Sequence, residues 1–174
     1  MRIGIISDTH RNPTLHGEAL DILIDKKHVD RIYHLGDDYR DAELEINRGI
    51  DLVRVPGLYC PEYADRSTDK VAFDVVMGVN IAMAHDIKDI PKNDLLCNDI
   101  ILHGHLHKYE IRIENGKTFL NPGHLKSAKD KNQSPTFAFL DIDYGEVLAQ
   151  ILDMSGKPQL SMKLKKGESG LHKV

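Results

Sequence analysis

The 174 residues carry a formal charge of −4, with 41% hydrophobic and 29% charged side chains, ordinary usage for one folded domain and far from that of a disordered chain. Acidic and basic residues are interspersed, so the basic stripe that grips phosphate backbones is missing and nucleic acid is not an expected partner. No apolar run is long enough for a bilayer or a secretory leader, and Cys60 and Cys97 lack metal or disulfide spacing; a reducing cytoplasm is expected, with no membrane.

Residues 2–6, Arg-Ile-Gly-Ile-Ile, form a continuous apolar run that predicts a strand buried on both faces. Asn12 followed by Pro13 supplies an N-cap and a first helical residue, and Leu15, Ala19, Ile22 and Leu23 recur at helical spacing. A second strand is expected at 31–35, a short helix at 41–48 ended by Gly49, and a third strand at 51–55. This alternation predicts parallel strands whose following loops share one edge, where ligands bind.

Residues 57–70 show no periodicity, and a segment of that length inside a compact domain is expected beside the site. Further strands are expected at 71–77, 79–84 and 99–102. A hairpin joins 109–113 to 117–120 across Asn115-Gly116, and another joins 136–143 to 147–152 around Tyr144-Gly145. Residues 159–164 read as an edge strand, and Lys163, Lys165 and Lys166 as a solvated strand end or frayed tail. The simplest arrangement is α/β, two mixed sheets packed as a sandwich with helices outside, in a single domain over 1–166 with a tail at 167–174.

Five clusters carry candidate chemistry: Asp8-Thr9-His10, Gly36-Asp37-Asp38, Ala84-His85-Asp86, Gly104-His105-Leu106-His107 and Asn121-Pro122-Gly123. Each follows an apolar run, and four contain the carboxylate oxygens and imidazole nitrogens that hold Zn²⁺, Mn²⁺ or Fe in catalytic sites. A single His or Asp after a strand is more often a turn former, but their joint order points to one edge. His34 and His103 lie within apolar runs and read as structural. Cys60 has no accompanying base, and no glycine-rich nucleotide loop is present.

In this order the clusters resemble the signature of the calcineurin-like metallophosphoesterases, D-x-H, G-D, G-N followed by H or C, H, and G-H-x-H, over about the first 125 residues. They are most similar to the small bacterial and archaeal phosphodiesterases, relatives of a subunit of the retromer coat. The resemblance implies the four-layer αββα fold and a phosphate-ester substrate, with diesters preferred. It also implies two divalent ions, Mn²⁺ first with Zn²⁺, Fe or Ni²⁺ as alternatives. Asp8, His10 and His107 would hold one ion and His85 and His105 the other, Asp37 bridging, with a shared hydroxide as nucleophile; Asp37, His85 and Asp8 would carry the chemistry.

The pattern departs at Leu58, which stands where the family has a ligating Asn. Tyr59 or Cys60, depending on loop length, takes the position of the family's His or Cys. The reading adopted leaves the second ion on Asp37, His85, His105 and water. The alternatives are an oxygen from Asp38, Asp86 or Glu62, a single-metal hydrolase, or a catalytically weakened scaffold that holds metal and binds protein. Asp86 also reads as an orienting partner for an imidazole. Pairing of two copies through an exposed strand or hairpin is left open.

Overall fold

A computed structural model of the chain describes residues 1–65 and 67–174. The first strands are β1 (Arg2–Ile6), β2 (Arg31–His34), β3 (Asp51–Arg54), β4 (Val71–Val76), β5 (Val79–Ala84) and β6 (Ile100–His103). They are followed by β7 (Glu110–Glu114), β8 (Lys117–Asn121), β9 (Thr136–Asp143), β10 (Glu146–Asp153), β11 (Pro158–Gly167) and β12 (Gly170–Lys173). The α-helices are α1 (Pro13–Asp21), continued by a π-helical turn Ile22–Lys26, then α2 (Glu43–Asn47), α3 (Pro61–Ala64) and α4 (Lys92–Cys97).

Two mixed sheets result, one ordered β12-β11-β10-β9-β1-β2-β3 and the other β4-β5-β6-β8-β7. β1, β2 and β3 run parallel, as do β5, β6 and β8. Strand alternation divides the core into layers. Ile3, Ile5 and Tyr33 point inward against Ile81, Met83, Leu102 and Leu120 of the second sheet. Ile6 and Ile32 point outward under Ala19, Leu20 and Leu23 of the first helical segment, while Ala82, Ala84 and Ile101 lie under Ile90 and Leu95. The result is the expected αββα order. A fully buried side chain such as Leu20 or Ile32 contributes about 1.5–3 kcal/mol by leaving water.

The start of α1 follows its residues closely. Asn12 Oδ1 accepts the Leu15 N–H at 3.2 Å, Pro13 occupies the first turn, and Asn12 Nδ2 donates to the Lys126 carbonyl at 3.0 Å. Both hairpin turns have positive φ at their central residues, 51° and 72° at Asn115-Gly116 and 40° and 87° at Tyr144-Gly145, the geometry of a type I′ turn.

Several expectations need correction. The helix at 41–48 divides into a 3₁₀ turn, Tyr39–Ala42, and α2. The segment 57–70 is not wholly irregular, because Pro61 starts α3 with Cys60 as its N-cap residue; Arg66 lies outside the described residues. Residues 159–164 are not an edge: β11 runs from 158 to 167, and the expected tail returns as β12, pairing antiparallel with it and burying Leu171. The lysines there are engaged, Lys165 with Glu146 at 3.1 Å and Lys166 with Asp99 at 2.7 Å. Among the described residues, no helix is long and apolar enough to cross a membrane.

Candidate metal centre

The parallel strands of both sheets end on the same side of the sandwich. Asp8 lies just past β1, Asp37 past β2, His85 past β5, and His105 and His107 past β6. The backbone at this edge is bent into sparsely populated conformations: φ is +53° at Asp8, +45° at His10, +152° at Asp37, +66° at His105 and +59° at His107. Non-glycine residues cluster in that region at sites where the surrounding structure overrides local strain.

Two glycines let the loops meet. A Cβ on Gly104 would come 1.9 Å from Ser7 Oγ and 2.8 Å from Asp8 Oδ2, and one on Gly57 would come 2.1 Å from the Asp37 carbonyl oxygen. At Gly57 the neighbour is backbone and cannot swing aside. Gly57→Ala is therefore expected to destabilise the fold by about 1–3 kcal/mol through overpacking and to weaken metal binding by displacing Asp37, both readable from unfolding curves and a metal titration.

Two groups of candidate ligand atoms form here, Asp8, His10 and His107 in one and Asp8, Asp37 and His85 in the other, each with its atoms within 4.8 Å of one another. Asp8 Oδ2 accepts from Ser7 Oγ at 2.7 Å and from the His105 N–H at 2.9 Å. Its Oδ1 faces His107 Nε2 at 3.2 Å and His85 Nε2 at 3.9 Å. Asp37 Oδ2 lies 3.1 Å from His10 Nδ1, which brings it against the first group as well as the second.

The hydrogen bonds assign the imidazole tautomers. His85 Nδ1 donates to the Leu35 carbonyl at 2.8 Å, His107 Nδ1 meets Asp130 Oδ2 at 2.5 Å, and His10 Nδ1 faces Asp37. All three rings then direct Nε2 lone pairs inward, and those of His10 and His107 are 3.1 Å apart beside Asp8. Converging lone pairs and a carboxylate repel one another unless a positive charge lies among them, so this donor set fits a divalent cation.

The electrostatics are consistent with that fit. The hydrogen bond to Asp8 holds the His107 imidazole above its ordinary pKa, against burial and with help from Asp130, so a proton competes for the same place. Burial works to raise the Asp8 carboxyl, but His107, His85 and Ser7 outweigh it and keep it below the usual range. Burial pushes Asp37 up, and the charge of Asp8 adds to this against His10 and His85. Burial likewise pushes His10 down.

The remaining sequence candidates separate. The His105 ring stands 5.4 Å from the His85 ring, centroid to centroid, and is outside both close groups, while its N–H holds Asp8. Tyr59 is 84% exposed and borders a cavity of about 280 Å³ with His10, Arg11, Asp37 and Asp38. Of the other extra ligands considered from sequence, Glu62 keeps one carboxylate oxygen buried with no hydrogen-bond partner among the described residues, while Asp38, Cys60 and Asp86 are engaged elsewhere. Asp38 binds Arg11 at 2.7 Å and caps the Tyr39 turn, Cys60 is buried with Sγ on the Gly57 carbonyl at 3.0 Å, and Asp86 caps the turn Ile87–Asp89 rather than orienting an imidazole. His103 is buried as expected, against Asn121 Nδ2 at 3.3 Å and Glu110 at 3.3 Å.

Sequence reasoning missed Asp130 and the group His16, His34 and Glu45. Asp130 sits in a polar loop beyond the last recognisable cluster, with nothing in the sequence to mark it. The buried trio also has ligand atoms within 4.8 Å, but His34 Nδ1 accepts the Gly36 N–H at 3.2 Å, which commits its lone pair and leaves the hydrogen on Nε2. The trio is therefore a buried hydrogen-bonded pair, His16 to Glu45 at 2.9 Å, with a neutral imidazole beside it.

Comparison with known proteins places this geometry. The phosphoesterase YfcE from E. coli aligns with a TM-score of 0.71 at 16% identity, covering 92% of this chain and 98% of that one. An archaeal phosphodiesterase aligns at 0.68 and 18% identity, covering 87% and 100%, and Vps29 from Entamoeba histolytica complexed with Zn²⁺ at 0.66 and 21%, covering 100% and 97%. At these identities the likeness is one of fold. Residues 1–145 match the calcineurin-like phosphoesterase superfamily domain, and with the histidine and aspartate strand ends gathered on one edge, the chain belongs to that superfamily.

Proposed function

We propose that this chain hydrolyses phosphate diesters with two divalent cations, Asp8, His10 and His107 at one position and His85 and His105 at the other, with Asp37 between them. The observation that carries the reading is the convergence of the His10 and His107 Nε2 atoms, 3.1 Å apart, on the Asp8 carboxylate. When bound, the cations would supply Lewis acidity, polarising phosphoryl oxygens and lowering the pKa of water. The chain's own part is to orient the donors, through Leu35, Asp130 and Ser7, and to seat the ester beside them. Mn²⁺ is the first ion to test, and the zinc complex of the Entamoeba protein supports trying Zn²⁺ beside it.

A diester is favoured over a monoester by the charge of the rim. Among the described residues lining the cavity, the one guanidinium, Arg11, is already paired with Asp38 at 2.7 and 3.0 Å, so little positive charge faces a dianion. The archaeal phosphodiesterase relative supports the same preference. The free cysteines, Cys60 and Cys97, suit a reducing cytoplasm. The test is turnover of an aryl diester and the matching aryl monoester with added Mn²⁺ or Zn²⁺. Faster, chelator-sensitive cleavage of the diester is expected, lost in Asp37→Ala and His107→Ala.

A second reading rests on Leu58 and on the Vps29 likeness. Leu58 removes a ligand that the family pattern provides, and a chain that binds metal without turning over substrate would be a scaffold for protein contacts. Folded, metal-loaded protein that cleaves neither ester would select it.

A further inference from the structure

We propose that Asp130 is a positioning residue of the metal centre, holding His107 in the one tautomer and ring orientation that can bind a cation. The proposal rests on the metal-centre reading above and adds a residue outside every family cluster. Asp130 Oδ2 lies 2.5 Å from His107 Nδ1, on the side of the ring opposite the Nε2 that faces Asp8 and His10. A carboxylate at Nδ1 keeps the hydrogen there, leaves the Nε2 lone pair free, and makes the imidazole a better donor.

The loop is built to hold this contact. The Asp130 N–H donates to the Gln133 carbonyl at 3.0 Å and the Gln133 N–H returns to Asp130 at 2.7 Å. Lys131 and Asn132 between them have φ of +47° and +62°, a tight turn with both central residues left-handed. Beneath the turn, His124 Nε2 meets the Gln133 carbonyl at 3.2 Å, and the Leu125 N–H donates to the Asp8 carbonyl at 3.1 Å. The segment that carries Asp130 is thus tied to the same residue that heads the metal centre. Lys126 Nζ lies 3.1 Å from Asp130 Oδ1, so both oxygens of the carboxylate are engaged.

Other carboxylates near the centre have different duties. Asp38 holds Arg11 and a helical turn, Asp86 caps the next turn, and Asp41 accepts from Thr9 Oγ1 and the Arg11 N–H. Asp130 alone among these four meets a candidate ligand imidazole.

The test compares wild type, Asp130→Ala, Asp130→Asn and His107→Ala for Zn²⁺ affinity, by competition with a chromophoric chelator, and for His107 tautomer, by ¹⁵N NMR of the metal-free protein. Asp130→Ala is expected to lower affinity about 10–100-fold and to shift hydrogen from Nδ1 to Nε2. Asp130→Asn, whose amide oxygen still accepts the Nδ1 hydrogen, is expected to recover part of both. Wild-type affinity in Asp130→Ala, or a His107 tautomer unchanged in it, would overturn the proposal. Because binding is measured without substrate, an inactive protein does not obscure the result. If His107→Ala also binds zinc like wild type, it is the metal-centre reading that fails, and the role of Asp130 with it.

Discussion

Asp8→Asn is expected to reduce metal-dependent ester cleavage by more than about 100-fold, beyond the loss typical of removing a residue that merely orients a ligand. Asp8 is the one side chain common to both groups of candidate ligands, so replacing it removes a donor from each. The substitution preserves size and most contacts. Ser7 Oγ and the His105 N–H both need an acceptor where Oδ2 now lies, at 2.7 and 2.9 Å, and the asparagine oxygen takes that place. Its NH₂ then points where Oδ1 faced His107 Nε2 at 3.2 Å and donates into the lone pair meant for the metal. An accepting, anionic position becomes a neutral donating one. Steady-state cleavage of the aryl diester with added Mn²⁺, together with metal content after gel filtration, measures the effect. Wild-type turnover with full metal content would remove Asp8 from the centre.

The outcome also separates charge from architecture. Asp8 is almost wholly buried, and its carboxyl is held low only because His107, His85 and Ser7 outweigh the cost of burial. An asparagine gives up that cost together with the larger contacts that outweigh it, so the metal-free variant should lose a little stability. A variant that loses metal while keeping most of its stability locates the role of Asp8 in ligation.

Much of the frame was legible because it rests on local patterns. The isoleucine run of β1, the Asn12-Pro13 cap and the Asn115-Gly116 turn each state their structure within a few residues. The joint order of Asp8, Asp37, His85 and His107 was legible for a related reason: parallel strands deliver the residue after each strand to one edge. What was not legible depends on distant partners. β12 is four residues held by β11 and the Gly116 carbonyl, and α4 is six residues recognisable mainly by Leu95 packing on the second sheet. Asp38, Cys60 and Asp86 carry the right atoms for ligands, yet Arg11, the Gly57 carbonyl and a helical turn engage them first. Asp130 and Glu45 acquire their roles only when the fold brings His107 and His16 to them.

Glu45 is where the fold is expected to be most fragile. It is fully buried on α2, with Oε1 2.9 Å from His16 Nε2 of α1, and Oε2 has no hydrogen-bond partner among the described residues. Glu45→Ala leaves the His16 ring nitrogen without its partner in the core, and a buried polar group left unsatisfied costs about 1–3 kcal/mol. Glu45→Gln keeps an oxygen for His16 and should lose less. The effect reads as a lowered urea midpoint at unchanged slope in chelator-treated protein, and a midpoint equal to wild type would refute it. The same cluster makes the fold sensitive to acid. Burial pushes His34 from 6.5 down to about 4, so between those pH values the unfolded chain takes up a proton that the native core refuses. Its contribution is therefore intact above pH 6.5 and falls away toward pH 4, by about 3 kcal/mol in all. Burial works to raise Glu45, but His16 and His34 hold it below 4.5, so its contribution is present above that value and lost as the pH falls further. Both shifts act in one direction, and the urea midpoint of the metal-free protein should drop steadily from pH 7 to pH 4; a flat profile would contradict a neutral His34 in the core. Since Gly36 hangs on His34 Nδ1 one residue before Asp37, the acid that loosens this cluster also loosens the metal centre above it.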